Sequence, residues 1–277
     1  MKERAFNTAF FFILLLLSVL FIFPVFIVLL NSFKLKFSIA TAPFVLPNSE
    51  TFSGLENYIT GINSTGFLSA IGWSLFITVF SVAVLIIFTS MTAWYIVRVK
   101  TAGTKILYLS LVFSMIVPFQ MVMFTMSKIA NTLHLDNPLG IVFIYLGFGA
   151  GLSVFMYSGF VKSVPIEIEE AAMIDGCGPL GTFFKIVFPV LRPITVTVAI
   201  LQTMWVWNDY LLPYLTLGSK YKTLPVAIQL AMQGAYGAVD WGSFMAMLVI
   251  AIIPIIIFYL FGQKYIISGV IAGAVKG

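Results

Sequence analysis

The sequence predicts an all-α, polytopic membrane protein with six transmembrane helices and both termini inside (N-in/C-in). Three observations carry that expectation. Of the 277 residues, 61% are hydrophobic and only 9% are charged, whereas a soluble domain carries roughly 25% charged residues. The mean hydropathy is +1.08. Apolar runs of about 20 residues, the length that crosses a ~30 Å hydrocarbon core, recur six times along the chain.

The first run covers about 10–30 and follows the short charged stretch Lys2 to Arg4. It is too long for the apolar part of a signal peptide, and no small-residue cleavage site follows it, so it reads as an uncleaved span. Pro24 lies inside it and predicts a kink. Residues 31–66 are a polar connection rich in Asn, Ser, Thr, Pro and Gly. The second span covers about 68–97, the third about 106–126 and the fourth about 139–160. That fourth run contains Gly140, Gly147, Gly149, Gly151 and Gly159, and small residues let helices approach closely in lipid, so it is expected to be enclosed by other helices. The fifth span covers about 194–217 and the sixth about 244–261. An external loop, 218–243, is too polar and broken to cross. All six spans form one transmembrane domain, 1–277.

Lys and Arg set the orientation. With the N-terminus inside, Lys2, Arg4, Arg98, Lys100, Lys105, Lys162, Lys185, Arg192, Lys264 and Lys276 are cytoplasmic. Lys34, Lys36, Lys128, Lys220 and Lys222 fall outside, a bias of two to one. The most polar segment of the chain, 162–192, then faces the cytoplasm.

Composition also excludes function classes. The net charge of +5 is scattered rather than gathered in a stripe, which argues against a nucleic-acid partner. A single cysteine, Cys177, permits no intrachain disulfide, and the lone His134 offers nothing from which to build a metal or catalytic site. No P-loop, zincin or nucleophile-elbow motif occurs, so no catalytic residue, metal or cofactor is expected on this chain. If ATP drives the protein, the ATPase is a separate polypeptide.

Segment 162–192 holds Glu167, Glu169, Glu170 and Asp175 between two apolar runs. Pro165 suits a first helical turn and Ser163 a cap. The glutamates favour the positive end of a helix dipole. Gly176 and the Gly178–Pro179 pair stop the helix, and a second short helix is expected over about 179–188. Ala171 and Ala172 leave a shallow surface that a partner's groove can approach. An ordinary interfacial loop, with acids that only solvate it, is the other reading, and spacing alone does not name a partner.

Glu170-Ala171-Ala172, three residues, Gly176, nine residues, then Ile186-Val187-Phe188-Pro189 resembles the EAA motif of ABC importer permeases, with Phe188 where leucine is usual. Asp175 before the glycine also suits that pattern. The resemblance implies a coupling helix seated in a cleft of a cytoplasmic ATPase subunit, carried by Glu169, Glu170, Ala171, Ala172, Asp175, Gly176, Ile186 and Pro189. Trp207-Asn208-Asp209-Tyr210-Leu211-Leu212-Pro213 and the end of the chain, from Gln263-Lys264-Tyr265 to Gly277, are similar to segments of MalG-type carbohydrate permeases. With six spans in order, the resemblance covers essentially the whole chain. It implies a type I ABC importer permease fold in a bacterial or archaeal cell membrane. It further implies a MalF-like second permease, two ABC ATPase subunits holding ATP and Mg, an extracytoplasmic solute-binding protein, and a sugar or related polyol or glycerol phosphate as substrate. The tail residues Gly273, Ala274, Val275 and Lys276 would reach the ATPase dimer, and the loop 221–240 the binding protein.

Asp209 is the ionisable group of the spans and thus a solute-path candidate, with a structural hydrogen-bonding role as the other reading. Gln202 and Asn208 are neutral hydrogen-bonders of the kind a sugar path needs. Trp205, Trp207 and Tyr210 can stack on a sugar ring or form an outer aromatic belt. An ion-coupled secondary transporter is the competing function. That class usually places charges near the midplane, and these spans otherwise lack them.

Overall fold

The computed structural model describes residues 2–232 and 239–274, with side chains described over a slightly smaller set. Among the described residues the chain is helical, with no β-sheet. Four helices are long and apolar enough to cross a membrane, and two further pairs pass the same test only as bent spans. The chain divides into two units. One comprises Met1–Leu68 and Ala227–Pro254, the other Ser69–Val226 and Ile255–Gly277.

In the first unit, α1 (Lys2–Asn31) continues as one helix through Pro24. The polar connection 31–66 folds into α2 (Lys36–Thr41) and α3 (Glu56–Thr65) around a buried polar network. Asn57 Nδ2 donates to the carbonyls of Ser32 and Lys34 at 2.9 and 2.8 Å. The Ser32 hydroxyl lies 2.7 Å from that of Tyr58. Lys34 is buried, and its ammonium donates to the Ala42 carbonyl at 2.8 Å. Burial pushes the Lys34 pKa down from its ordinary value, because desolvation penalises the charged form. α13 (Leu224–Met232) and α14 (Trp241–Ala274) carry the chain onward, and Met247 of α14 lies over Gly61, where there is no Cβ to obstruct it.

In the second unit the hub is α7 (Pro138–Val161). Asn137 caps it, accepting from the Leu139 and Gly140 amides at 3.1 and 3.0 Å. Around it stand α4 (Phe67–Arg98), α5 (Ala102–Ser114), α6 (Phe119–Thr132) and α11 (Arg192–Asn208). The glycine-rich face does what close packing requires, but at selected positions. A Cβ on Gly151 would lie 2.5 Å from the main-chain oxygen of Leu111 on α5. One on Gly149 would lie 2.8 Å from Leu85 Cδ2 on α4. Gly147 and Gly159 face open space.

Two spans differ from expectation. The third is not continuous: α5 and α6 meet at 107° across residues 115–118. Pro118 explains it, because a helix running into this proline would set its ring against the carbonyl of Ser114, where α5 stops. The fifth is also broken. α11 ends at Asn208, Asp209 is extended, and α12 (Leu211–Leu217) begins after it. Pro213 would clash with the carbonyl of Asp209 in an unbroken helix.

Candidate functional site

The segment 162–192 builds α8 (Glu167–Ile174), α9 (Pro179–Thr182), a π-helical turn Phe183–Val187, and α10 (Phe188–Val190). Three acids fall in the first turn of α8, as the dipole favours. The cap differs from expectation: Ile166 occupies the N-cap position without a side-chain bond. The Ser163 hydroxyl instead donates back to Phe160 O of the preceding helix at 2.7 Å. The second short helix also differs, because a π-turn interrupts it, with the Phe188 amide reaching back five residues to Phe183 O.

The C-terminus of α8 is a Schellman motif. The Cys177 amide donates to Ala172 O at 2.9 Å and the Gly176 amide to Met173 O at 3.1 Å. Gly176 has φ +84°, and nothing lies within 4 Å of where its Cβ would be. Any cost of substitution there is therefore backbone strain and not a clash. Gly176→Ala is expected to lower stability by about 1 kcal/mol, read as a fall of a few degrees in Tm in detergent. An unchanged Tm would mean that the turn relaxes to negative φ.

Which glutamate turns inward is the main finding at α8. Glu169 is 3% exposed and sits between the end of α4 and the helix it belongs to. Its Oε1 accepts from Arg98 Nη2 and Nε at 2.6 and 2.9 Å, and its Oε2 from Trp94 Nε1 at 2.8 Å. Arg98 Nη2 also donates to Val164 O at 2.9 Å. One carboxylate is thus held by three donors, and α8 is pinned to α4. Below the pin, Phe183 of the π-turn packs 5.4 Å from Trp94, inside a core of Ala93, Val154, Tyr157, Val187 and Leu191.

The sequence-predicted set therefore divides. Glu169 and Ala172 are buried, so of the two alanines read as a shallow surface only Ala171 is exposed. Glu170, Ala171, Asp175, Gly176 and Pro189 are exposed, and Ile186 is half-buried. Sequence reasoning missed Trp94 and Arg98, and also an outward apolar tip. Ile174 is 86% exposed, with Met173 and Leu180 exposed beside it. The available signal was three apolar residues flanking a glycine turn in the most polar stretch of the chain.

The span-five candidates divide as well. Gln202 is buried between α11 and α7, donating to Ser153 Oγ at 3.0 Å and to Gly149 O at 3.3 Å. It ties α11 to α7. Asp209 is the cap of the break: its Oδ1 accepts from the amides of Leu211 and Leu212 at 3.0 and 3.3 Å, and its Oδ2 from Tyr145 OH at 3.1 Å. Trp205 meets Tyr145 edge-on at 5.3 Å, and Tyr210 stacks on Tyr214 at 5.3 Å. Trp207 is buried, and Asn208 is exposed with its amide turned back to Met204 O. Tyr145 is the member of this group that sequence reasoning missed. Of the tail candidates, Gly273 and Ala274 close α14, with only their backbone described. Val275 and Lys276 lie outside the described residues, as do 233–238 of the loop 221–240.

Residues 86–271, which include the pinned helix and the broken fifth span, match the family model of the binding-protein-dependent transport system inner membrane component. The chain belongs to this family. The permease is 41% identical over 263 residues to a probable starch degradation products transport system permease of Thermoanaerobacterium thermosulfurigenes, covering 95% of this chain and 94% of that one. It is 36% identical to a multiple sugar-binding transport system permease of Streptococcus mutans, with 99% of both chains covered. Its fold is that of a chain in the crystal structure of a bacterial ABC transporter involved in the import of the acidic polysaccharide alginate. There the TM-score is 0.80 at 21% identity, over 96% of this chain and 98% of the other. The family is a membrane transport component and not a catalytic one.

Proposed function

We propose that this permease forms half of the translocation path of an ATP-driven sugar importer and receives force from a separate ATPase through α8. The observation that supports it best is the two-sided character of that helix. Its inner side is pinned to α4 by the Arg98–Glu169 pair, while its outer tip exposes Ile174, Met173 and Leu180. A helix held on one side and apolar on the other suits a groove in a second protein. ATP and Mg belong to two ATPase subunits, and closure of those subunits moves α8. The displacement passes to α4 through the ion pair and to α11 through the π-turn and α10, switching the spans between inward- and outward-facing forms. In this reading α8 and both termini are cytoplasmic, as the distribution of Lys and Arg favours. A MalF-like second permease completes the path, and an extracytoplasmic binding protein delivers the solute. The sugar-transport names of the relatives support an oligosaccharide as substrate. An ion-coupled mechanism draws no support from Asp209, whose oxygens are committed to the break in span five.

Ile174→Glu and Glu170→Lys change exposed side chains, so each is expected to shift stability by no more than about 0.5 kcal/mol. Each should nevertheless reduce both co-purification with the ATPase and sugar uptake in cells. Normal recovery of ATPase together with normal uptake in both variants would sink the coupling assignment.

A further inference from the structure

The end of α4, the first turn of α5, the end of α7 and Ile166 ahead of α8 enclose an open cavity of about 790 Å³. Its charge is one-sided. Arg98, Lys100, Lys105 and Lys162 line it, and no lining residue is acidic. Arg98 is neutralised by Glu169, whereas the three lysines have no carboxylate partner among the described residues. Like charges held together without counter-charge raise one another's energy, and an anion between them removes that cost.

Two further features point the same way. Ser158 lines the cavity at 1% exposure, and its hydroxyl has no hydrogen-bond partner among the described residues. Buried polar groups are almost always satisfied, so a donor left open on a cavity wall marks a place for an acceptor. Thr101, Ala102 and Thr104 also line it, so the positive end of the α5 dipole opens there. The remaining wall is apolar, including Ile96, Val97 and Tyr108. The cavity is larger than a free inorganic anion requires, and it lies at the ends of two long apolar helices, α4 and α7.

We propose that this cavity binds the phosphate of an anionic phospholipid. Lys100, Lys105 and Lys162 surround the phosphate, Ser158 donates to a headgroup or ester oxygen, and the start of an acyl chain lies along Ile96 and Val97. Arg98 belongs both to this wall and to the pin on Glu169, so an occupied cavity fixes the pin and stiffens the α4–α8 joint. That consequence rests on the coupling role proposed above; binding itself does not.

The test uses the full chain with its cognate subunits in vesicles of phosphatidylcholine doped with phosphatidylglycerol. Lipid retained through detergent exchange is read by native mass spectrometry. Phosphatidylglycerol is expected to be retained over phosphatidylcholine, with retention falling roughly fivefold for each lysine changed in Lys100→Gln, Lys105→Gln and Lys162→Gln. Ser158→Ala should weaken it further, and the triple Lys→Arg variant should restore it. Equal retention of the two lipids, or equal retention of phosphatidylglycerol by parent and triple Gln variant, overturns the proposal. Saturable binding of radiolabelled inorganic phosphate in pure phosphatidylcholine, without lipid preference, overturns it in favour of a free anion. The readout involves neither ATP nor uptake, so a failed coupling assignment leaves this result interpretable.

Discussion

Arg98→Ala is expected to destabilise the second unit by about 3–5 kcal/mol, because it strands the Glu169 carboxylate in a buried position. The Arg98 side chain is 18% exposed and that of Glu169 only 4%, so the two partners are not equivalent. Without Arg98 the carboxylate keeps only the Trp94 indole donor, and the cost of its burial is no longer offset. Without Glu169, the guanidinium retains the Val164 carbonyl and has the open cavity beside it. Glu169→Gln should therefore cost less, about 1–2 kcal/mol, since a neutral amide replaces the charge and still accepts from Trp94. The double variant Arg98→Met with Glu169→Met should be milder than Arg98→Ala alone, because no charge is left unpaired. Thermal unfolding in detergent gives the order. If the double variant unfolds at or below the temperature of Arg98→Ala, the pair is not what holds α8 to α4.

Gly151→Ala is expected to cost about 1–3 kcal/mol, while Gly147→Ala on the same helix should be neutral or stabilising. The added methyl at 151 would lie 2.5 Å from the Leu111 oxygen and 2.7 Å from Met115 Cγ, and the nearer atom is main chain that cannot rotate away. α5 would have to withdraw from α7, opening the contact that sets the first half of the third span. At 147 nothing lies within 4 Å, so alanine brings only its better helix propensity. Expression level and melting temperature of the two variants separate the cases. Similar losses at both positions would show that helix propensity or lipid contact, and not the approach of α5, governs this face.

Both results bear on how far the residues alone could be read. The glycines of the fourth span signalled close packing, but not which of them meets a neighbour, because that depends on where α5 and α4 lie. The breaks were legible in principle. Pro118 stands four residues and Pro213 five residues after the end of a helix, yet Pro24 and Pro254 lie within helices that continue. What separates them is local support. At Asp209 the freed amides of Leu211 and Leu212 find a carboxylate oxygen, and that oxygen's neighbour finds Tyr145 from 64 residues earlier. No local pattern predicts such a partner.

Hydropathy and length determined by themselves that the chain is a bundle of membrane-spanning helices, because a bilayer leaves no alternative for apolar runs of this length. Motif spacing likewise determined where α8 would stop, since only glycine takes the positive φ of Gly176 without strain. Tertiary structure alone decided which of three neighbouring glutamates is an anchor. In an eight-residue helix of mixed polarity the inward side is set by the partner available. Here that partner is Arg98, 71 residues away, brought within 2.6 Å of Glu169 by the packing of α4 against the π-turn.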